Sequence, residues 1–102
     1  MSYMILSKGT IDQGQEWYIN IDPEGVDKIR EWEYNQPGFI QVDVIDRTDT
    51  TITVVYEFED KASYELYCLN RLSNLDWQKR KIYYDSIGTD VDIEILTPNE
   101  VI

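Results

Sequence analysis

The 102-residue sequence contains no histidine and a single cysteine, Cys68. A Ser-His-Asp or Cys-His catalytic site is therefore excluded, because both need an imidazole base. Neither a structural zinc site nor a haem site is expected, because histidine and cysteine supply most of the ligands of such sites. Cys68 falls within a helical pattern, which predicts a small, partly buried side chain with no disulfide partner.

Glycine is also scarce, and long apolar runs are absent. The five glycines are isolated, so the sequence has neither a phosphate-binding loop nor a dinucleotide-binding fingerprint. The longest apolar stretches are only as long as a strand, and residues 1–6 lack the features of a signal peptide. Residues 1–102 are therefore predicted to form a single domain that makes no membrane contact and is cytoplasmic, in the host cell if the protein is viral.

Basic residues are few, with 9 Lys and Arg against 20 Asp and Glu and a formal net charge of -11. Such a charge favours a basic protein surface as partner, because contacts to nucleic-acid phosphates are made by Lys and Arg. The run Lys79-Arg80-Lys81 lies beside Tyr83 and Tyr84, a combination that can hold a nucleic-acid strand. The strand motifs of RNA-recognition domains are missing, however, so the run is interpreted as neutralising nearby acids.

Apolar residues recur at two periods that together predict an α+β fold. Alternation at Trp17, Ile19 and Ile21 predicts a strand over residues 16–21, and a further N-terminal strand over residues 3–11 is plausible. Asp22 and Pro23 are typical of a helix start. The helix that follows carries three apolar residues at intervals of three on its predicted inner face: Val26, Ile29 and Trp32.

The second half of the sequence predicts a hairpin, a helix and a closing strand. Residues 39–45 and 51–58 alternate as two strands around a polar turn. Asp60 is predicted to cap a helix that runs to about Leu72, with Ala62, Leu66 and Leu69 on its inner face and Leu72 as a further candidate there, whereas residues 75–88 fit either a short helix or an extended connection. Alternation over residues 91–95 predicts the last strand. The order β-α-β-β-α-β is ferredoxin-like, with two helices on one face of an antiparallel sheet.

Three segments carry a resemblance to a known family. Pro37-Gly38-Phe39-Ile40, then a turn and residues 53–58, then Lys61-Ala62 at a helix start, resemble the dimeric α+β barrel proteins of the antibiotic-biosynthesis-monooxygenase kind. The resemblance covers residues 16–95 and implies a homodimer with a pocket between helices and sheet. No catalytic motif comes with it, and the histidine on which several members rely has no counterpart here.

The open face of such a sheet must be solvated, bind a partner or pack against a second copy. Phe39, Ile45 and Val55 are predicted to lie on it and to form a dimer face. The predicted partner-binding acids lie on this face and on the first helix: Glu24, Asp27, Glu31, Glu33, Asp43, Glu57, Asp92 and Glu94. The ladder of Asp90, Asp92 and Glu94 could offer oxygen ligands to a cation, but it is interpreted as the solvated side of a strand, and no metal or other cofactor is predicted.

Two functions remain open from the sequence. The favoured one is a non-enzymatic acidic interaction protein, such as a nucleic-acid mimic or inhibitor that occupies a basic partner surface, in the style of small phage-encoded counter-defence proteins. The alternative is a dimeric α+β barrel that binds a small molecule or acts as a monooxygenase-like enzyme. Its pocket is predicted to be lined by residues such as Trp32, Tyr56 and Tyr64.

Overall fold

The computed structural model describes residues 2–96 as a layer of helices on one face of an antiparallel sheet. Its elements are β1 (Tyr3–Thr10), α1 (Tyr18–Ile21), α2 (Pro23–Tyr34), β2 (Phe39–Arg47), β3 (Thr51–Phe58), α3 (Lys61–Asn70), α4 (Leu75–Ser86) and β4 (Asp90–Ile95). The strand order β2-β3-β1-β4 is that of the ferredoxin-like fold, which confirms the predicted fold class. Among the described residues, no helix combines the length and apolarity needed to cross a membrane.

The first strand of the fold is residues 3–10, so the prediction of a strand over residues 16–21 is wrong. β1 lies in the middle of the sheet, antiparallel to β3 on one side and to β4 on the other. A strand sends neighbouring side chains to opposite faces, yet Trp17 and Tyr18 are both buried while Ile21 is exposed. The helical turn of α1 allows this arrangement, and the Trp17 Nε1–H donates to the Thr48 carbonyl at 2.8 Å.

Helix α2 begins and packs as its sequence predicts. The Asp22 side chain accepts a hydrogen bond from the Gly25 N–H at 3.1 Å, and Pro23 occupies the first helical position. Val26 and Ile29 are buried on the inner face. The chain then turns through Gly38, whose φ of +75° is a conformation that glycine adopts without strain.

Helix α3 is rotated relative to its prediction. Leu66 and Leu69 are exposed, and Tyr67 is buried instead. The Tyr64 and Tyr67 rings lie 5.3 and 5.2 Å from the Phe58 ring, centroid to centroid. Aromatic rings bury more apolar area than leucine does, so the tyrosines rather than the leucines cover the sheet.

Two β-bulges in β2 decide which of its side chains face the helices. The register with β3 shifts between Phe39 and Gln41 and again between Val44 and Asp46, so Ile40 and Ile45 are the extra residues. Phe39 is thereby placed on the helix side, where its ring packs edge-on against the Phe58 ring at 5.3 Å. The prediction that Phe39 lies on the open face is therefore wrong, because simple alternation does not anticipate the bulge.

The segment that the sequence left ambiguous, residues 75–88, contains helix α4. Its N-terminus is capped by Asn74, whose side chain accepts a hydrogen bond from the Trp77 N–H at 2.8 Å. The chain returns through Gly88 into β4, the predicted closing strand, which pairs with β1 at the edge of the sheet. The apolar side chains of β4 are still about half exposed, because the helix layer leaves this edge open.

Candidate functional site

A cavity of about 550 Å³ lies between the sheet and the helices. Its sheet side is formed by side chains from all four strands, among them Ile5, Val44, Val54, Tyr56 and Ile93. Trp17, Val26 and Tyr67 contribute from the other side. The volume is within the range of small-molecule sites, and the walls combine apolar and aromatic surface with a few polar groups, as such sites do.

Helix α4 directs a mixed aromatic and basic stripe into this cavity. Trp77, Arg80, Lys81, Tyr84 and Asp85 all line it and are spaced three or four residues apart, which is one face of a helix. A helix that only closes a core has apolar residues at such positions. The sequence carries this stripe as a helical period, but the basic run within it was predicted to neutralise nearby acids rather than to line a cavity.

Three side chains form a buried polar group beside the cavity. The Arg30 guanidinium is 2.7 Å from one carboxylate oxygen of Glu33, and the Tyr67 hydroxyl donates to the other at 2.6 Å. Glu33 is fully buried, so its prediction as an exposed partner-binding acid is wrong. The reason is that Arg30 and Tyr67 compensate the cost of burying its charge.

This arrangement keeps the Tyr67 phenol and the Arg30 guanidinium protonated. Burial, together with the nearby Tyr56 and Glu33, raises the pKa of Tyr67 well above its usual range. Burial alone would lower the pKa of Arg30, but Tyr56 and Glu33 raise it overall. Tyr67 and Arg30 therefore remain the hydrogen-bond donors that satisfy the buried Glu33 side chain.

Two more phenols at the cavity, Tyr64 and Tyr84, are also held in the neutral form. Burial, with help from the Cys68 thiol, raises the pKa of Tyr64 to about 12. Burial likewise raises the pKa of Tyr84, whose hydroxyl oxygen accepts a hydrogen bond from the Tyr18 N–H at 2.9 Å. Of the three pocket residues predicted, Tyr56 and Tyr64 line the cavity, whereas Trp32 packs on the Tyr67 ring.

The predicted partner-binding acids do not form one surface. Glu24, Asp27 and Glu31 are exposed on helix α2. The remaining four lie on the opposite, open face of the sheet, where the register places them beside β1 or β3: Asp43, Glu57, Asp92 and Glu94. The sheet therefore separates the two sets. In residues 2–96, no group of three or more His, Cys, Asp or Glu side chains is placed to hold a metal ion.

The structure does not bring the three residues of the predicted dimer face onto one surface. Val55 lies on the open face directly opposite Leu6, and both side chains are partly buried. Ile45 is 60% exposed at the second bulge of β2. Phe39 lies on the other side of the sheet, among the core aromatics.

No family model matches the chain, and neither does any curated protein sequence. Solved structures do share its fold. The cofactor-independent oxygenase SnoaB from Streptomyces nogalater superposes with a TM-score of 0.67 at 10% identity, over 97% of this chain and 94% of that one. An antibiotic biosynthesis monooxygenase gives 0.67 at 12% identity, over 96% and 98%. A dimeric ferredoxin-like protein from an uncultured marine organism gives 0.62 at 11% identity, over 96% and 97%.

These neighbours confirm the resemblance to antibiotic-biosynthesis-monooxygenase-like ferredoxin folds. They contradict the favoured functional interpretation: the prediction of an acidic nucleic-acid mimic or phage-type inhibitor is wrong, and the alternative interpretation is the better supported one. The distribution of acidic, aromatic and basic side chains agrees with this comparison. The acids are divided between two faces, whereas aromatic and basic side chains converge on one cavity.

Proposed function

We propose that this protein binds a small planar organic molecule in the cavity between its helices and its sheet. The observation that carries the proposal is the cavity itself, about 550 Å³ with aromatic side chains from both layers. Trp77 and Tyr84 from α4 and Tyr56 from β3 offer ring faces and edges on which an aromatic ligand can stack. The Tyr84 hydroxyl accepts from the Tyr18 N–H and keeps its own proton, which it can donate to orient a ligand.

Tryptophan fluorescence tests this proposal. Trp17 and Trp77 line the cavity, so a naphthalene-based probe that enters it is expected to quench their emission in a saturable way. Trp77→Phe should remove much of the quenching. Trp32→Phe should leave it, because Trp32 does not line the cavity. The proposal fails if no two-ring probe, charged or neutral, changes the emission.

We further propose that the protein is a homodimer formed through the open face of the sheet. Leu6 and Val55 are paired across β1 and β3 on this face, which no helix of the described residues covers. One of the fold neighbours is a dimeric ferredoxin-like protein. Packing a second sheet on this face would remove both apolar side chains from water.

Sedimentation velocity tests the dimer at micromolar concentration. The wild-type protein is expected to sediment as a dimer, and Val55→Glu as a monomer, because a charge would be buried at the centre of the interface. Leu69→Glu is the matched control, since Leu69 is exposed on the helix side and should not affect assembly. A wild-type monomer, or a dimer that both variants retain, would contradict this interface.

A second candidate function is oxygenation of the bound molecule. The description of fold neighbours as oxygenases favours it. In the simplest balanced reaction, a CH₂ group of the ligand becomes C=O while the second oxygen atom of O₂ leaves as water, so the ligand supplies all the electrons. An oxygen electrode, with a bound electron-rich phenolic compound, tests this activity. Oxygen uptake should cease in a variant that has lost ligand quenching, and no uptake with any bound compound would exclude it.

A further inference from the structure

The cavity concentrates positive charge in an acidic protein. Five of the nine Lys and Arg residues of the chain line it: Arg30, Arg47, Arg71, Arg80 and Lys81. Asp85 is the one carboxylate among the described lining residues, and its side chain is 66% exposed. Acids outnumber cations in the whole chain by 20 to 9, whereas cations outnumber acids in the lining by five to one.

Three of these cations have no acidic partner among residues 2–96. Arg30 is paired with Glu33, and Lys81 with Asp85 at 2.8 Å. Within residues 2–96, Arg47, Arg71 and Arg80 form no salt bridge, although Arg71 and Arg80 are partly buried. Partly buried charges are ordinarily paired, because removing them from water is costly.

Two buried polar atoms beside this cavity also lack partners. Neither the Arg71 Nε–H nor the Thr89 hydroxyl forms a hydrogen bond in the described part of the chain. Both residues line the cavity. Because buried polar groups are nearly always satisfied, these two groups at the cavity wall are available to hydrogen-bond with water or with a bound molecule.

The orientation of Arg71 and Arg80 suits an anion next to a ring. The Arg71 guanidinium stacks over the Trp77 ring at 4.6 Å and lies 5.7 Å from the Tyr67 ring centroid, which leaves its N–H edge free to donate. Arg80 is near enough to Tyr67 and Tyr84 for its charge to offset part of the rise in their pKa caused by burial. Both cations therefore act on the space that the aromatic residues enclose.

We infer that the ligand of this cavity is an aromatic acid, whose ring stacks on the aromatic wall and whose carboxylate is bound by Arg71 and Arg80. This inference rests on the proposed function and specifies its ligand class. The guanidinium fork matches a carboxylate with two parallel hydrogen bonds. A neutral ring of the same size would leave both arginines unpaired.

Isothermal titration with 2-naphthoate and 2-naphthamide tests the inference, because the two probes share a ring and differ in charge. The acid is expected to bind at least about tenfold more tightly, as for one charge-assisted hydrogen bond. Its affinity should also fall as salt concentration rises, whereas that of the amide should not.

Variants that each remove one positive charge test whether Arg71 and Arg80 cause the preference for the acid. Arg80→Gln and Arg71→Gln should each weaken 2-naphthoate binding by about tenfold and leave 2-naphthamide binding unchanged. Lys79→Gln is the matched control, since it removes the same charge from the adjacent exposed position of α4, outside the cavity. If an arginine variant fails to fold, the salt dependence of the two wild-type affinities gives the same comparison.

The outcomes separate this inference from the proposed function. Equal affinities for acid and amide would overturn the anionic ligand while leaving the aromatic cavity in place. The inference would also be overturned if Lys79→Gln weakened the preference for the acid as much as Arg80→Gln does. General charge attraction would then explain the preference. Failure of both probes to bind would overturn the inference and the proposed function together.

Discussion

At the scale of single residues, the buried carboxylate of Glu33 links two helices. Glu33 accepts a hydrogen bond from Tyr67 of α3 and pairs with Arg30, which lies one turn earlier on its own helix, α2. These contacts join α2 to α3. The low dielectric around this group strengthens its hydrogen bonds and makes the loss of any partner costly. It also fixes the Tyr67 ring, which forms part of the cavity wall.

Glu33→Gln should lower the free energy of unfolding by about 1 to 3 kcal/mol, because Arg30 would keep its charge without a charged partner. Urea denaturation measures this loss. Glu31→Gln on the exposed side of α2 is the control and should change stability by less than about 0.5 kcal/mol. Equal effects of the two substitutions would show that the Glu33 contacts contribute nothing to stability.

Four of the tyrosines should ionise at higher pH than an ordinary phenol. The pKa values of Tyr18, Tyr64, Tyr67 and Tyr84 are raised, chiefly by burial, and that of Tyr64 lies at about 12 against an ordinary 10.0. Because the fold favours the neutral phenol, this contribution to stability is complete below pH 10 and is lost as the pH rises towards 12. The near-ultraviolet absorbance of phenolate should show a late phase that Tyr64→Phe reduces. Ionisation of all eight tyrosines in one step near pH 10 would contradict the raised pKa values.

At the scale of elements, helix starts follow local rules and helix faces do not. Asp22, Asp60 and Asn74 each accept a hydrogen bond from a backbone N–H three residues later. These caps depend only on neighbours in sequence. Which side of each helix is buried depends instead on what the sheet presents to it.

Asp22→Ala should cost about 0.5 to 2 kcal/mol of stability, because it removes the cap of α2. Its measurement is the midpoint of thermal or urea denaturation. Asp22→Asn is the matched variant and should retain most of the stability, since an amide oxygen also accepts from the Gly25 N–H. A full loss in Asp22→Asn would instead assign the effect to the charge of Asp22 and to its hydrogen bond with the Tyr18 hydroxyl.

The orientation of α3 gives a paired prediction. Leu69→Ala should change stability by no more than about 0.5 kcal/mol, because Leu69 is 64% exposed. Tyr67→Ala should cost about 3 to 5 kcal/mol, as expected for an aromatic side chain removed from a core. Chemical denaturation of both variants compares them directly. The reverse order would mean that the leucine side of α3 covers the sheet.

At the scale of the whole molecule, the net charge of the chain and the charge at the cavity wall have opposite signs. The chain has a net charge of -11, yet five of the six charged residues that line its cavity are cations. The surface acids therefore repel one another, and only two ion pairs offset them among residues 2–96. Stability should consequently depend on the screening of like charges.

Thermal unfolding should move to higher temperature as sodium chloride is raised from a few millimolar to about 0.15 M, where the Debye length is about 8 Å. Lys28→Gln makes the net charge more negative at an exposed position of α2, so its melting temperature should depend more steeply on salt. A melting temperature that falls with salt would show that attractive ion pairs, rather than repulsion, dominate the surface.

The sequence alone determined what local chemistry controls. Asp22 and Pro23 set the start of α2, and the alternation at Val91, Ile93 and Ile95 predicted β4, because caps and strand periods depend on neighbouring residues. The predicted fold class was confirmed although its first strand was expected over residues 16–21 and lies at Tyr3–Thr10 instead. The absence of histidine by itself excludes Ser-His-Asp and Cys-His catalytic sites.

Only the tertiary structure decided which residues form the site. The bulge at Ile40 moved Phe39 to the helix side, and Tyr67 rather than Leu69 came to cover the sheet. Glu33, on a helix rich in exposed acids, became buried because Arg30 and Tyr67 reach it from its own turn and from α3. These outcomes depend on packing between elements distant in sequence, which determines whether a charged side chain meets water, a partner or a cavity.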